Sequence, residues 1–161
     1  MSESKFERSI IFTFRMLMAW TFIYAASHQV FDPKFTVVGF LSHTKTFHDL
    51  FAVFTTPALA PAVTFLVGYG HPLIGLSLLF GLMVRVSATF GIVLLLMYWL
   101  AHMDFPYIEN ANNFIVDYHI VYAMVLVYLI AKHAGHVWGL DAWAERLSFI
   151  QQDPRLHALV A

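Results

Sequence analysis

The sequence predicts an all-α integral membrane protein: an antiparallel four-helix transmembrane bundle with short interfacial helices. Three observations lead there. The 161-residue chain is 60% hydrophobic and only 12% charged, against about 45–50% and about 25% in soluble domains. Its mean hydropathy is +0.69. Four apolar stretches approach the ~20 residues that a helix needs to cross a bilayer, and short connections make them antiparallel neighbours.

Composition also excludes several functions. A net charge of −1 provides no basic footprint for nucleic acid. The absence of cysteine rules out a disulfide, a thiolate nucleophile, iron–sulfur ligation and a CxxC redox pair. A redox role therefore requires a bound cofactor, a quinone or a partner subunit. Nine histidines are the available soft nitrogen ligands.

The first span runs from about Arg8 to Ser27. Lys5 and Arg8 ahead of an apolar run mimic a secretion signal, but a cleavable apolar core is only ~7–15 residues long. The run from Ser9 to Val30 is longer and contains Arg15, so it reads as a retained helix. The next stretch, Phe31 to Thr56, is less hydrophobic. Its Phe47, Leu50, Phe51 and Phe54 fall at helical spacing opposite charged residues, which suits an interfacial helix or, equally, a loop packed on the bundle.

The second span, about Ala58 to Met83, is interrupted at Gly68-Tyr69-Gly70-His71-Pro72. The third runs from Arg85 to His102 and the fourth from Asn113 to Lys132. Gly75 and Gly81, and Ser87 with Gly91, are small residues suited to close helix contact. Residues 139–148 read as a short interfacial helix capped by Asp141, with Trp143 and Leu147 toward the membrane surface. A loosely held tail follows from Gln151. No repeat divides the chain, so residues 1–161 form one domain.

Lys5, Arg8, Arg85, Lys132, Arg146 and Arg155 fall on one side of this arrangement, and Lys34 and Lys45 on the other. The positive-inside rule then places both termini in the cytoplasm. Trp20, Tyr98, Trp99, Tyr107, Trp138 and Trp143 include interface anchors, with Trp20 read alternatively as core.

Ionisable groups inside apolar spans are costly and so mark candidate sites. Arg15 lies about two turns into the first helix. It serves either as a snorkelling or structural cation, or as a group that holds an anion or a quinone carbonyl. His71 precedes Pro72, whose missing N–H frees the Gly68 carbonyl. It is a proton carrier, a quinone, metal or haem ligand, or a neutral ring bonded to a freed carbonyl.

Asn113, Asp117, Tyr118, His119 and Tyr122 crowd one end of the fourth span. Asn113 and Asp117 share a face at i,i+4, as do Tyr118 and Tyr122, and His119 is an i,i+3 neighbour of Tyr122. Asp117 beside His119 forms a proton relay, or else a cap or salt bridge. The pairs His133/His136, His43/His48 and His102/Asp104 lack the HExxH or cysteine companions of a specific zinc site, so no metal site is assigned. For a b-type haem, His71 with His119 is the best available pair.

The segment His71-Pro72-Leu73-Ile74-Gly75-Leu76-Ser77-Leu78-Leu79-Phe80-Gly81-Leu82, followed by Arg85, resembles the signature of DoxX-like membrane proteins. The run from His133 to Trp143, with Gly139-Leu140-Asp141, is similar to that family's glycine-rich ending, and Arg15 occupies a family-like place. The resemblance implies a four-helix bundle and a link to redox complexes such as the membrane subunit of thiosulfate:quinone oxidoreductase. One departure stands out. The family's usual glutamate falls on His71 here, and the first glycine of its pair falls on Ile74.

The leading expectation is a membrane subunit of a redox complex linked to the quinone pool, with other subunits and membrane lipid as partners. In this reading His71, Asp117 and His119 carry catalysis as proton-moving groups. Arg15, His71, Tyr118 and Tyr122 bind the cofactor, and all of them line one polar pocket. The expected location is a prokaryotic cytoplasmic (inner) membrane. Two alternatives stand beside it: a non-catalytic accessory or assembly subunit, and a histidine-ligated b-haem protein.

Overall fold

The computed structural model describes residues 4–160. The chain opens with α1 (Lys5–Val30), whose N-terminus is capped by the Ser4 hydroxyl accepting from the Glu7 amide. Two short helices follow, α2 (Val37–Leu41) and α3 (His48–Ala52). Next come α4 (Ala60–Phe80) and α5 (Val84–Ala101), joined by a three-residue turn. With α1, these two are long and apolar enough to cross a membrane, and only about a third of each apolar window is buried. Most of each helix is therefore left to face an apolar solvent.

The all-α expectation needs one correction. After α5 the chain forms a small antiparallel sheet of β1 (Met103–Asp104), β2 (Tyr107–Ile108) and β3 (Asn110–Phe114). The fourth apolar helix, α6 (Tyr118–Ala131), starts five residues later than the sequence suggested and has 14 residues. At 1.5 Å per residue it spans about 21 Å, short of a ~30 Å hydrocarbon core. Two local features set this start. Asn110, Asn112 and Asn113 favour turns over helix, and Asp117, in extended conformation, caps α6 by accepting from the His119 amide. Asn113 thus lies in β3, and its helical pairing with Asp117 does not form.

The interruption expected near Pro72 is also absent as a break: α4 runs through Pro72 as one helix. It ends at Gly81, which takes the left-handed conformation (φ 66°) that glycine adopts at little cost. Across the following turn, the Ser77 and Ser87 hydroxyls lie 2.7 Å apart and tie the ends of α4 and α5.

The main core joins Ile11, Met18 and Phe22 of α1, Ile74 and Leu78 of α4, Val84, Ala88 and Leu95 of α5, and Leu126 and Leu129 of α6. The glycines provide the close approach expected of them. A methyl group on Gly75 would collide with Ile23 of α1, and one on Gly91 would collide with Leu126 of α6. A second cluster of Val37, Leu41, Phe51 and Ala101 seats α2 and α3 across the ends of α4 and α5. The interfacial stripe therefore divides: Phe51 and Phe54 pack inward, while Phe47 and Leu50 stay exposed.

At the opposite pole, α7 (Asp141–Ala144), α8 (Ser148–Gln152) and α9 (Pro154–Val160) replace the expected single helix and loose tail. Val160 is buried with Ala144 and Ile150, which holds the C-terminal segment down. Leu147 packs there too, while Trp143 is exposed as expected.

Candidate functional site

Arg15, His71, Asp117 and His119 are all buried, with 1%, 5%, 6% and 4% of their surface exposed. They do not share one pocket. Arg15 faces Gly81, whereas Phe22, seven residues further along α1, packs its ring 5.8 Å from that of His71. At 1.5 Å per residue this separates the two by about 10 Å along the bundle axis.

The cluster at the terminal pole is built around Arg15. Its guanidinium donates to the Ala134 carbonyl at 2.6 Å and the Trp138 carbonyl at 3.1 Å, and it lies 5.4 Å from the Phe12 ring. Gly81 and Gly139 pack so closely on it that a Cβ at either would strike the guanidinium. Asp141 does not cap its own helix. Its carboxylate instead accepts from the Met83 and Val84 amides at 2.6 and 3.2 Å and caps α5. Burial raises the Asp141 carboxyl above its ordinary pKa, against the opposing pull of those amides, His136 and Arg15. Arg15 thus ties the segment after α6 to α1, and Asp141 ties it to the start of α5.

The cluster at the sheet pole is richer. His71 Nδ1 donates to the Val67 carbonyl at 2.7 Å, a different carbonyl from the one that Pro72 frees. The His71 ring lies 5.8 Å from that of Tyr98, which lies 6.0 Å from that of His119. His119 is also stacked on His102 (5.1 Å) and Tyr118 (4.1 Å). Asp117 Oδ2 accepts from His119 Nδ1 at 2.5 Å. Tyr122 touches this group through Tyr118, at 5.7 Å. From α1, the Gln29 amide approaches the Tyr98 hydroxyl, and its buried Oε1 has no donor among the described residues.

A shared chemical pattern runs through this group. His71, His102 and His119 each direct Nδ1 at an oxygen, respectively of Val67, Tyr98 and Asp117. Carbonyl and carboxylate oxygens accept, so each Nδ1 carries the hydrogen. In the neutral ring Nε2 is then the atom that can take a proton. Asp117 orients the His119 ring by accepting from its Nδ1.

Sequence reasoning missed Tyr98, His102 and Gln29 as members of this cluster. Tyr98 and His102 stand at i,i+4 on α5, which was the available signal, but Tyr98 reads as an interface anchor. His102 was paired with Asp104, whose carboxylate instead binds Lys45 at 2.5 Å. The other histidine pairs make separate bonds: His43 and His48 to backbone carbonyls, and His136 to Glu145 at 3.0 Å. Among the described residues no group of three or more His, Asp or Glu side chains is placed to hold a metal ion.

A haem between His71 and His119 does not fit. Both rings pack against Tyr98, and Tyr118 and His102 stack on His119. Beside these rings Tyr98 brings a hydroxyl donor, and Gln29 Oε1 is an acceptor with no donor among the described residues.

Membrane-length helices that bury a histidine–tyrosine–aspartate cluster define a helical integral membrane protein with a polar interior. Residues 10–103, more than half of the chain and reaching from α1 to β1, match the DoxX family, and the chain belongs to that family. No match is found among curated proteins or solved structures.

Proposed function

We propose that this chain is the membrane subunit of a redox complex linked to the quinone pool, and that its sheet-pole cluster handles the accompanying protons. In this reading α6 is the fourth helix of the bundle, both termini are cytoplasmic and the membrane is a prokaryotic inner membrane. One observation carries it: His71, Tyr98, His119 and Asp117 form an unbroken chain of contacts among apolar helices, with Tyr98 half-buried and the other three buried. Ionisable groups kept in such a medium are paired and functional as a rule.

A bound quinone supplies a carrier of two electrons and two protons. Tyr98 would donate to its carbonyl oxygen, and Gln29 Oε1 would accept from its reduced hydroxyl. His119, held by Asp117, takes or returns a proton at Nε2, and His71 does the same from α4. Tyr118 and Tyr122 flank the His119 side. Arg15 is assigned to architecture, because two of its nitrogens are already committed to backbone carbonyls.

Purification of the tagged chain from its native membrane tests this. The expected result is a co-purifying redox subunit and extractable quinone, with quinone content reduced at least several-fold by His71→Leu. Quinone-free protein, or wild-type turnover after His71→Leu, contradicts it. A second reading, an accessory subunit that assembles a larger complex, is favoured by one observation. The most completely buried charge, Arg15, commits two of its three nitrogens to holding this chain's own segments together, while its Nε has no partner among the described residues. Full complex activity when the chain is present but its sheet-pole cluster is replaced supports that reading.

A further inference from the structure

Beside the sheet-pole cluster lies a cavity of about 330 Å³. Its roof comes from the α2–α3 region (Phe35, Phe40, Phe51, Phe54), its floor from α4 and α5, and Tyr98 forms part of its wall. A larger groove of about 750 Å³ runs along the outward side of α4 and α5. The two share Val67, Leu94 and Met97 as lining residues, so the cavity and the groove are neighbours across one wall.

From this arrangement we infer that the cavity is a head-group chamber for a ring-headed, isoprenoid-tailed lipid of the quinone class. The tail lies in the groove, and the ligand arrives sideways from the bilayer between α4 and α5. This rests on the quinone reading above and adds where the ligand sits and how it arrives.

Three features select this occupant. The four phenylalanines with Tyr98 offer flat apolar surface to a planar ring. The volume falls at the lower end of the ~300–1,000 Å³ typical of small-molecule sites. None of the lining residues is charged, so a phospholipid head group would enter without a counter-charge, at a large desolvation cost. A partner's helix, about 10–12 Å across, is too wide for a chamber of this volume. Val67 joins the chamber to the cluster chemically, because its carbonyl accepts from His71 Nδ1.

Photolabelling of the full chain in phospholipid nanodiscs tests the inference, using a prenyl-tailed azidoquinone and a diacyl photolipid as probes. The expected outcome is saturable azidoquinone labelling within residues 35–54 and 94–101. Met97→Trp, which fills the shared wall, should lower that labelling at least fivefold, with circular dichroism and photolipid labelling unchanged. Val67→Phe obstructs the same wall from α4 and should act alike if Met97→Trp fails to fold. Saturable labelling that maps elsewhere, or that both variants leave intact, overturns the chamber while the quinone reading survives. Absence of saturable azidoquinone labelling in the wild type overturns both. Competition by excess phospholipid as effective as by excess quinone also overturns the chamber, in favour of an ordinary acyl chain.

Discussion

At the residue scale, the two polar clusters separate architecture from chemistry. Arg15 uses its planar fork to bond two carbonyls of the turn after α6 at once, that of Ala134, which also accepts from the Val137 amide, and that of Trp138. A lysine can reach one of them but not both in that geometry. Arg15→Leu should therefore cost about 2 kcal/mol or more, because two charge-assisted bonds are lost and the Trp138 carbonyl is left bare, and Arg15→Lys about 1–2 kcal/mol. Thermal unfolding in detergent measures both. Asp117→Asn is the complementary case. Asparagine still caps a helix, so α6 should remain folded, but the orienting charge on His119 is lost. Proton-coupled turnover of the complex should fall about 10²-fold or more while the melting temperature moves little. The sequence made Arg15, His71, Asp117 and His119 legible as buried groups, since polar residues in apolar runs have nowhere else to go. Their grouping was not legible: it depends on the depth of each residue in the bundle, and α1 carries Arg15 and Phe22 to opposite clusters.

At the element scale, helices set by strong local signals were read well. The α5 span differs from its expected limits by one residue at each end, and the glycines of α4 and α5 mark close contacts as foreseen. By contrast, α6 was read too long. The hydropathy of residues 113–117 masked the turn-forming asparagines and the cap at Asp117. Capping produced a second discrepancy, because Asp141 serves α5 across the fold instead of its own helix. No local pattern encodes such a long-range bond. Asp141→Ala should cost about 1–3 kcal/mol, and Asp141→Asn should restore part of that by keeping an acceptor. Gly75→Leu should separate α1 from α4 through the clash with Ile23, costing about 1–3 kcal/mol as overpacking does. Thermal melts of the two series rank these effects.

Across the whole molecule, the terminal pole fastens the bundle and the sheet pole holds the candidate chemistry. The terminal pole carries a modest acid sensitivity. Glu145 contacts His136 and His157 at 3.0 and 3.3 Å, and chiefly the His136 bond lowers its carboxyl below the ordinary value of 4.5. A lowered folded pKa means that its stabilising contribution is present above pH 4.5 and is lost as pH falls through the folded value. The group is exposed, so the loss should stay under about 1 kcal/mol. Glu145→Gln should remove that part of the acid dependence of the melting temperature.

The central claim is that the sheet-pole cluster, and not Arg15, is where this DoxX-family protein meets a quinone. The most direct measurement is the binding of a short-tailed quinone to the protein in nanodiscs, followed by quenching of tryptophan fluorescence. Saturable binding is expected, weakened at least tenfold by Tyr98→Leu and by His71→Leu and unchanged by Arg15→Lys in the folded fraction. Loss of binding on Arg15→Lys, with Tyr98→Leu and His71→Leu binding as the wild type does, would contradict it.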